Sequence, residues 1–454
     1  MINDYEALAN SGMSADQLAS TFFKEYFKDT LPVFPINPFQ MLTDLGVPFL
    51  FRPFKNYDGL YIPAEDEDDI PFVAINLNRP ITRQRYSAAH ELCHFLKDSN
   101  KQFACVPDSK DEIEKYAERF AAELLMPIVE LRKQASKYQK SGFVDLDSVL
   151  MIADYFGVSF QACLYRIAYK LHMIEGDIDS KSLRKMIRKY SPDAKRKERG
   201  LHNTVLYEQL IDAINTLFID VLDPYILMRF KSKYIFQDSR MEGIDIDRET
   251  AGEIVVDLRI NKQNSEYCKE QNQNIIEVAG LTFAYDYAFE ECKGLITIYD
   301  AKTINEKLFS TAPYPEFGGL YRPTNTLVLG AKFETIDYRD IPKEMKNLDH
   351  EVEAFMNSAD SLSKSAYIER VATIHHRLTV IHAFRDGNGR TSRVFANMML
   401  LKRDIPPIFF SGDQKTEYKA ALKEADLTNS YDSLFECFFK SILNTYASLT
   451  DFQM

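Results

Sequence analysis

At 454 residues the chain exceeds one ordinary hydrophobic core, so two domains are expected. Its composition, 45% hydrophobic and 27% charged, is globular and excludes a disordered chain. A net charge of -12 argues against a protein that coats nucleic acid through bulk charge. The six cysteines form no C-x-x-C pair and read as reduced thiols of a cytoplasmic protein, not a disulfide framework or a cysteine zinc site. The opening stretch carries Asp4, Glu6, Asp16, Glu25 and Asp29 and lacks the basic-then-apolar order of a signal peptide. No apolar run approaches the roughly 18 residues of a membrane span.

In chain order, Phe49-Leu50-Phe51 and Phe72 to Asn76 read as strands, broken by Gly59 and Pro63. The acids Glu65 to Asp69 lack the glycine and spacing of a calcium loop and read as a solvated hairpin tip. From Thr82 the pattern turns helical. Ile113, Tyr116, Ala117, Phe120, Ala121, Leu124 and Leu125 recur at helical spacing until Pro127.

Within the first helical run stands His90-Glu91-Leu92-Cys93-His94. Its histidines lie one turn apart on one face, so both imidazoles can reach one metal ion. Glu91 sits beside them and can take a proton from metal-bound water, whose pKa zinc lowers to roughly 7. A third ligand is needed, and the downstream helix offers Glu114 and Glu118, four residues apart.

The run Arg83 to His94 followed by Glu114 to Pro127, with Ala153-Asp-Tyr-Phe-Gly-Val-Ser159 beyond, resembles the ImmA/IrrE family of metallopeptidases over roughly residues 15 to 175. The resemblance implies an α+β zincin-like fold, zinc held by His90, His94 and Glu114, Glu91 as catalytic base, and a helix-turn-helix regulator as substrate. Glu118 stands where that family usually carries Asn or Asp and would support a histidine. Cys93 replaces the usual glycine, which places a thiol with redox potential beside a ligand. The strand Val73 to Asn76 could take a substrate peptide as an added strand, or be an ordinary sheet edge.

The turn at Ala153 to Ser159 also suggests a helix-turn-helix, but Phe160, Cys163, Leu164, Tyr165 and Ile167 suit a core better than a DNA groove. A basic segment follows, from Lys181 to Arg199, and reads as a solvated linker. The domain boundary is set here, giving residues 1–195 and 196–454.

The second half is mostly helical. It contains Asp238-Ser-Arg-Met-Glu242-Gly243, and an apolar stretch from Gly319 to Ala331 around Pro323-Thr324-Asn325 that reads as a β-hairpin. His375 and His376 read as satisfied helix residues. Then comes Ile381-His-Ala-Phe-Arg-Asp-Gly-Asn-Gly-Arg-Thr-Ser-Arg393, with a base, a carboxylate, a glycine-rich turn and two arginines at one loop-to-helix junction. Those are the parts that nucleotide phosphate chemistry requires.

This segment resembles the Fic motif, and the resemblance spans roughly residues 205 to 445. It implies an all-α fold with a β-hairpin flap and AMP transfer from ATP to a Ser, Thr or Tyr hydroxyl of a protein substrate. His382 would be the catalytic base and Asp386 the Mg²⁺ ligand. Gly387, Asn388, Gly389, Arg390 and Arg393 would bind the nucleotide, with Phe384 anchoring the loop. Ala383 stands where Pro is common. Gly319, Tyr321 and Arg322 would belong to the flap that pairs with the target. Asp238 to Gly243 resembles the family's inhibitory motif, on a helix near 238–247, with Asp238 suited to the N-cap. Its Glu242 would take Arg393 from the γ-phosphate.

The chain thus reads as a bifunctional AMP-transferase and zinc peptidase, of a kind found in toxin–antitoxin or stress-response settings. Two alternatives stand beside it: an AMP-transferase whose peptidase-like half only binds or senses a partner, and a regulator-cleaving protease controlled by the Fic half.

Overall fold

The computed structural model describes residues 12–64, 69–98, 103–105, 111–217, 224–326, 335–412 and 414–450. The acidic run at Glu65 and most of the hairpin stretch after Thr326 lie outside these. The chain forms two compact units, residues 1–218 and 219–454.

Among the described residues, the first unit opens with helices α1 (Ala15–Tyr26) and α2 (Pro38–Asp44). Strands β1 (Phe49–Arg52), β2 (Gly59–Ile62) and β3 (Phe72–Asn76) precede the long helix α3 (Ile81–Lys97), and β4 (Phe103–Cys105) follows it. The sheet order is β1-β3-β2-β4, with β1 parallel to β3 and the other pairs antiparallel. The strand Val73 to Asn76 is therefore internal, flanked by β1 and β2, and cannot accept a peptide as an added strand. Strand β2 was not legible as a strand, because Gly59 and Pro63 bound it so closely.

Helices α4 (Glu112–Leu125), α5 (Ile128–Tyr138), α6 (Leu146–Phe156) and α7 (Phe160–Arg166) follow, with a π turn continuing α7 through Leu171. Asp111 caps α4 through the Ile113 amide. Pro127, with no amide hydrogen to donate, separates α4 from α5. The α6 segment and the run from Phe160 to Leu171 cross at a bend of 109°. Phe160, Cys163, Leu164 and Ile167 are buried, as a core-forming pair requires. Among the described residues no single helix is long and apolar enough to cross a membrane.

The basic segment is not a linker but two helices, α8 (Ser180–Tyr190) and α9 (Pro192–Glu198). Beyond it, α10 (Thr204–Leu217) still packs in the first unit. The reason is a buried cation whose hydrogen-bond partners among the described residues are carbonyls and one side-chain amide. Arg85 of α3 donates to the carbonyls of Gly157 and Ile36 and to Gln209 Oε1 at 3.1, 2.6 and 2.5 Å. Gln209 in turn donates to the Pro35 carbonyl at 2.5 Å. These bonds fasten α10 to the first unit, so the division falls after residue 218, beyond the position near 195 read from sequence.

The second unit is helical: α11 (Pro224–Glu242), α12 (Arg248–Asn261), α13 (Gln273–Glu291), α14 (Ile298–Phe309), α15 (Ile341–Ser358), α16 (Lys364–Ile381), α17 (Asn388–Lys402), α18 (Gln414–Thr428) and α19 (Asp432–Thr450). Helix α17 is central: its residues are buried from Arg390 to Leu401, against α13, α14 and α16. Helices α13 and α14 approach closely at Gly280, where a Cβ would stand 2.0 Å from the Leu308 carbonyl oxygen. The expected helix near 238–247 is corrected: α11 ends at Glu242, so Asp238 sits inside its last turns and caps nothing.

Candidate functional site

In the first unit, α3 and α4 bring three ligand atoms together. His90 Nε2 lies 3.1 Å from His94 Nε2 and 3.2 Å from Glu114 Oε2, and His94 Nε2 lies 3.5 Å from Glu114 Oε1. A tetrahedron of bonds near 2.0–2.1 Å has edges of about 3.3 Å. The three separations match that edge, and two imidazoles with one carboxylate are a zinc-type donor set. These residues form the group of metal-ligating character found among the described residues. The bonds to the two histidines hold the Glu114 carboxyl down at about 2, against the opposing effect of burial.

Glu91 is fully buried, and neither of its carboxylate oxygens has a hydrogen-bond partner among the described residues. Burial pushes its carboxyl up to about 8. It faces Gly59 at the start of β2, where a Cβ would stand 2.4 Å from Glu91 Oε1. Asp58 fixes that strand start by accepting from Arg79 and Arg83, each at 2.6 Å.

Sequence reasoning missed Asp98, whose Oδ2 lies 3.2 Å from His94 Nδ1. Its position four residues after His94 was the available signal. Asp98 is placed to orient His94, and the Glu118 backbone carbonyl accepts from the Tyr86 hydroxyl at 3.2 Å. Cys93 is buried and burial raises its thiol well above the usual range, so the expected redox sensitivity is not supported.

In the second unit, the motif loop joins α16 to α17. His382 ends α16 in the left-handed region, with φ 48 and ψ 53. Burial, then the charge of Arg322, lowers its pKa, which keeps the imidazole neutral and able to accept a proton. Phe384 is buried as expected. Asn388 closes the loop: it accepts from the Phe384 amide and donates to the Phe384 carbonyl, both at 2.9 Å. Gly387 has φ 71, and Asp386 is exposed, one carboxylate oxygen accepting from the Gly387 amide at 2.6 Å.

The two arginines are both engaged. Arg390 Nη1 donates to Glu277 Oε2 at 2.8 Å. Arg393 donates Nη2 to Glu242 Oε1 at 2.5 Å and Nε to Asp238. A Cβ at Gly389 would stand 2.9 Å from Glu242 Oε1, so the missing side chain leaves room for the carboxylate. His375 and His376 are satisfied, the first by the Ser392 carbonyl and the Tyr418 hydroxyl, the second by Asp426 and Tyr431.

The residues expected in the flap are tied to the loop itself. Tyr321 makes an antiparallel bridge with Phe384. Arg322 is buried and donates to the carbonyls of His382, Thr324 and Ile336. The Gly319 amide donates to Asn305 Oδ1 at 2.9 Å. Residues 327–331 of the stretch lie outside the described residues, while the expected turn at Pro323-Thr324-Asn325 is described and, among the described residues, carries no strand on either side of it apart from the Tyr321 bridge. Asn305 was missed by sequence reasoning. It also donates to the Asp386 carbonyl and to Thr391, joining Gly319 to the motif loop, and nothing in the sequence marked it.

Two family models match the chain. One, the IrrE N-terminal-like domain, covers residues 42–168; the other, the Fic/DOC family, covers residues 295–400. Both resemblances read from motifs are thereby met, in the same order. Curated relatives include protein adenylyltransferase fic-1 of Caenorhabditis elegans, 27% identical over 159 residues, which are 35% of this chain and 30% of that protein. Protein adenylyltransferase Fic of Nematostella vectensis is 30% identical over 157 residues, 33% of this chain and 34% of the relative. The chain thus spans about a third of the length of these relatives. Among solved structures, Fic-1 from C. elegans superposes with a TM-score of 0.45 at 18% identity, covering 67% of this chain and 86% of that one.

Proposed function

We propose that this chain is a bifunctional enzyme. Its second unit is a protein adenylyltransferase held off by Glu242, and its first unit is a zinc-dependent endopeptidase acting on a regulatory protein. The observation that carries the first half is the pairing of Glu242 with Arg393 at the head of α17.

In this reading His382 accepts the proton of a target Ser, Thr or Tyr hydroxyl as its oxygen attacks the α-phosphorus of ATP. The bond to the β-phosphate oxygen breaks and pyrophosphate leaves. Asn388 holds the loop so that the amides at the start of α17 face phosphate oxygens. Arg390 and Arg393 bind the remaining phosphates once their carboxylates withdraw. Asp386 is exposed, with one oxygen accepting from the Gly387 amide, and a single carboxylate with the nucleotide's phosphates would suffice for Mg²⁺. The ion would offset phosphate charge.

In the first unit His90, His94 and Glu114 would hold zinc, which supplies Lewis acidity toward water and a peptide carbonyl. Glu91 would receive the proton, and its two unpartnered oxygens fit that task. Gly59 leaves the carboxylate its room.

The test is labelling with α-labelled ATP. Glu242→Gly should raise labelling of the chain or its target, and His382→Ala in that background should abolish it. Label that survives His382→Ala would overturn the assignment. Metal analysis of the purified chain should find about one zinc per chain, lost in His90→Ala. A metal-free wild type would leave the first unit as a binding module.

A further inference from the structure

Three carboxylates, not one, stand on the two arginines of the loop. Asp238 and Glu242 meet Arg393, and Glu277 of α13 meets Arg390. Asp238 is enclosed, its side chain 3% exposed. Glu242 and Glu277 are alike in being accessible, at 34% and 26%. Glu242 ends its helix and precedes Gly243, at φ 84. Glu277 has a second resting partner, since Gln273 Nε2 donates to its other oxygen at 2.9 Å.

Arg390 is buried, yet its Nε has no hydrogen-bond partner among the described residues. A guanidinium offers five donors, and one contact from a partly exposed acid leaves this one incompletely matched. An anion with several oxygens at the start of α17 would satisfy the remainder. The charge balance points the same way. With all three acids ionised, the two arginines are outnumbered. Removing Glu242 alone brings this cluster only to neutrality. Removing Glu277 as well leaves these five side chains with a net positive charge, which draws an anion more strongly than the removal of Glu242 alone.

We propose that Glu277 is a second competitor for the phosphate site, occupying Arg390 as Glu242 occupies Arg393, so that it sets the nucleotide affinity of this chain. The proposal rests on the nucleotide-binding reading of the loop and adds a residue to it. It also implies that Glu242→Gly releases only half of the site.

Direct titration of ATP with Mg²⁺ into the full chain tests this. All proteins carry His382→Ala so that nothing is transferred: otherwise wild type, Glu242→Gly, Glu277→Gln and the combination. The combination should bind ATP about tenfold or more tightly than Glu242→Gly alone, the size expected when a charge-assisted contact no longer competes. Glu277→Ala should move affinity in the same direction, and thermal melts would show that both variants fold. Unchanged affinity would overturn the proposal. Weaker affinity would overturn it too and make Glu277 a positioning residue for Arg390. If no protein in the series binds ATP, the nucleotide reading itself fails. A series in which Glu242→Gly binds and Glu277→Gln adds nothing fails the Glu277 proposal alone.

Discussion

Asp238→Ala should destabilise the second unit more than Glu242→Ala does, although Glu242 is the acid read as the block. Both touch Arg393, but their surroundings differ tenfold in exposure, 3% against 34%. Breaking a buried ion pair by removing one partner costs about 3–5 kcal/mol, because the other charge stays buried. Burial pushes the Asp238 carboxyl up, so its removal returns part of its own desolvation cost. Arg393 also keeps Glu242. The low end, about 3 kcal/mol, is therefore expected. For Glu242, solvent screens the pair and Asp238 remains, so about 1 kcal/mol or less is expected. In domains of this size each kcal/mol moves Tm by about 2–4 °C. Asp238→Ala should then lower the transition by about 6–12 °C and Glu242→Ala by about 4 °C at most. Differential scanning calorimetry of the full chain reads this directly. Equal shifts, or a larger one for Glu242→Ala, would refute the division of labour between a fixed anchor and a removable block.

Three further outcomes follow from other contacts. His375 is fully buried, and burial lowers its pKa to about 3. The unfolded chain takes up this proton near pH 6.5 and the folded one does not, so the contribution is full above 6.5 and lost as pH falls toward 3. At pH 5 about 2 kcal/mol should be gone, and His375→Gln should flatten that limb of a stability–pH curve; an unchanged slope would refute it. Asp98→Ala should weaken zinc binding about 10–100-fold in a chelator competition, since His94 loses the partner that orients it, and unchanged affinity would count against that role. Gly59→Ala should leave zinc content intact but remove peptidase activity, because the new methyl meets Glu91 Oε1 at 2.4 Å. Activity retained with zinc bound would separate Glu91 from the chemistry.

Much of both candidate sites was legible because the residues that the structure brings together lie in short, local patterns. His90 and His94 share a turn, Arg390 and Arg393 share a helix start, and Glu114 sits on a helix whose apolar spacing was plain. What was not legible depends on distant pairings. Asn305 reaches Asp386 and Thr391 across about 80 residues, and Glu277 reaches Arg390 across 113. No spacing rule connects such positions. The misplaced boundary near 195 has the same origin, because one glutamine in α10 is held by Arg85 from 124 residues away. The N-cap reading of Asp238 failed differently. An acid four residues before Glu242 fits a helix start locally, but the apolar segment before it continues the helix, and Arg393 supplies the charge that lets an acid be buried there.

In the proposed reading, Gly389 ties inhibition and nucleotide affinity together in this loop. Its missing side chain leaves the space that the Glu242 carboxylate fills, beside Arg393 Nη1, where a Cβ would stand 2.9 and 3.1 Å from the two. A phosphate oxygen binding the same guanidinium would enter the same space. Any change in Gly389 or Arg393 therefore weakens the block and the substrate together, and cannot act as a switch. A change that spares the substrate must act on the acid alone. Glu242 meets that requirement: it ends α11, a flexible glycine follows it, and Asp238 keeps Arg393 in place when it leaves. Whatever releases the proposed block should therefore act on the end of α11 and leave the head of α17 undisturbed.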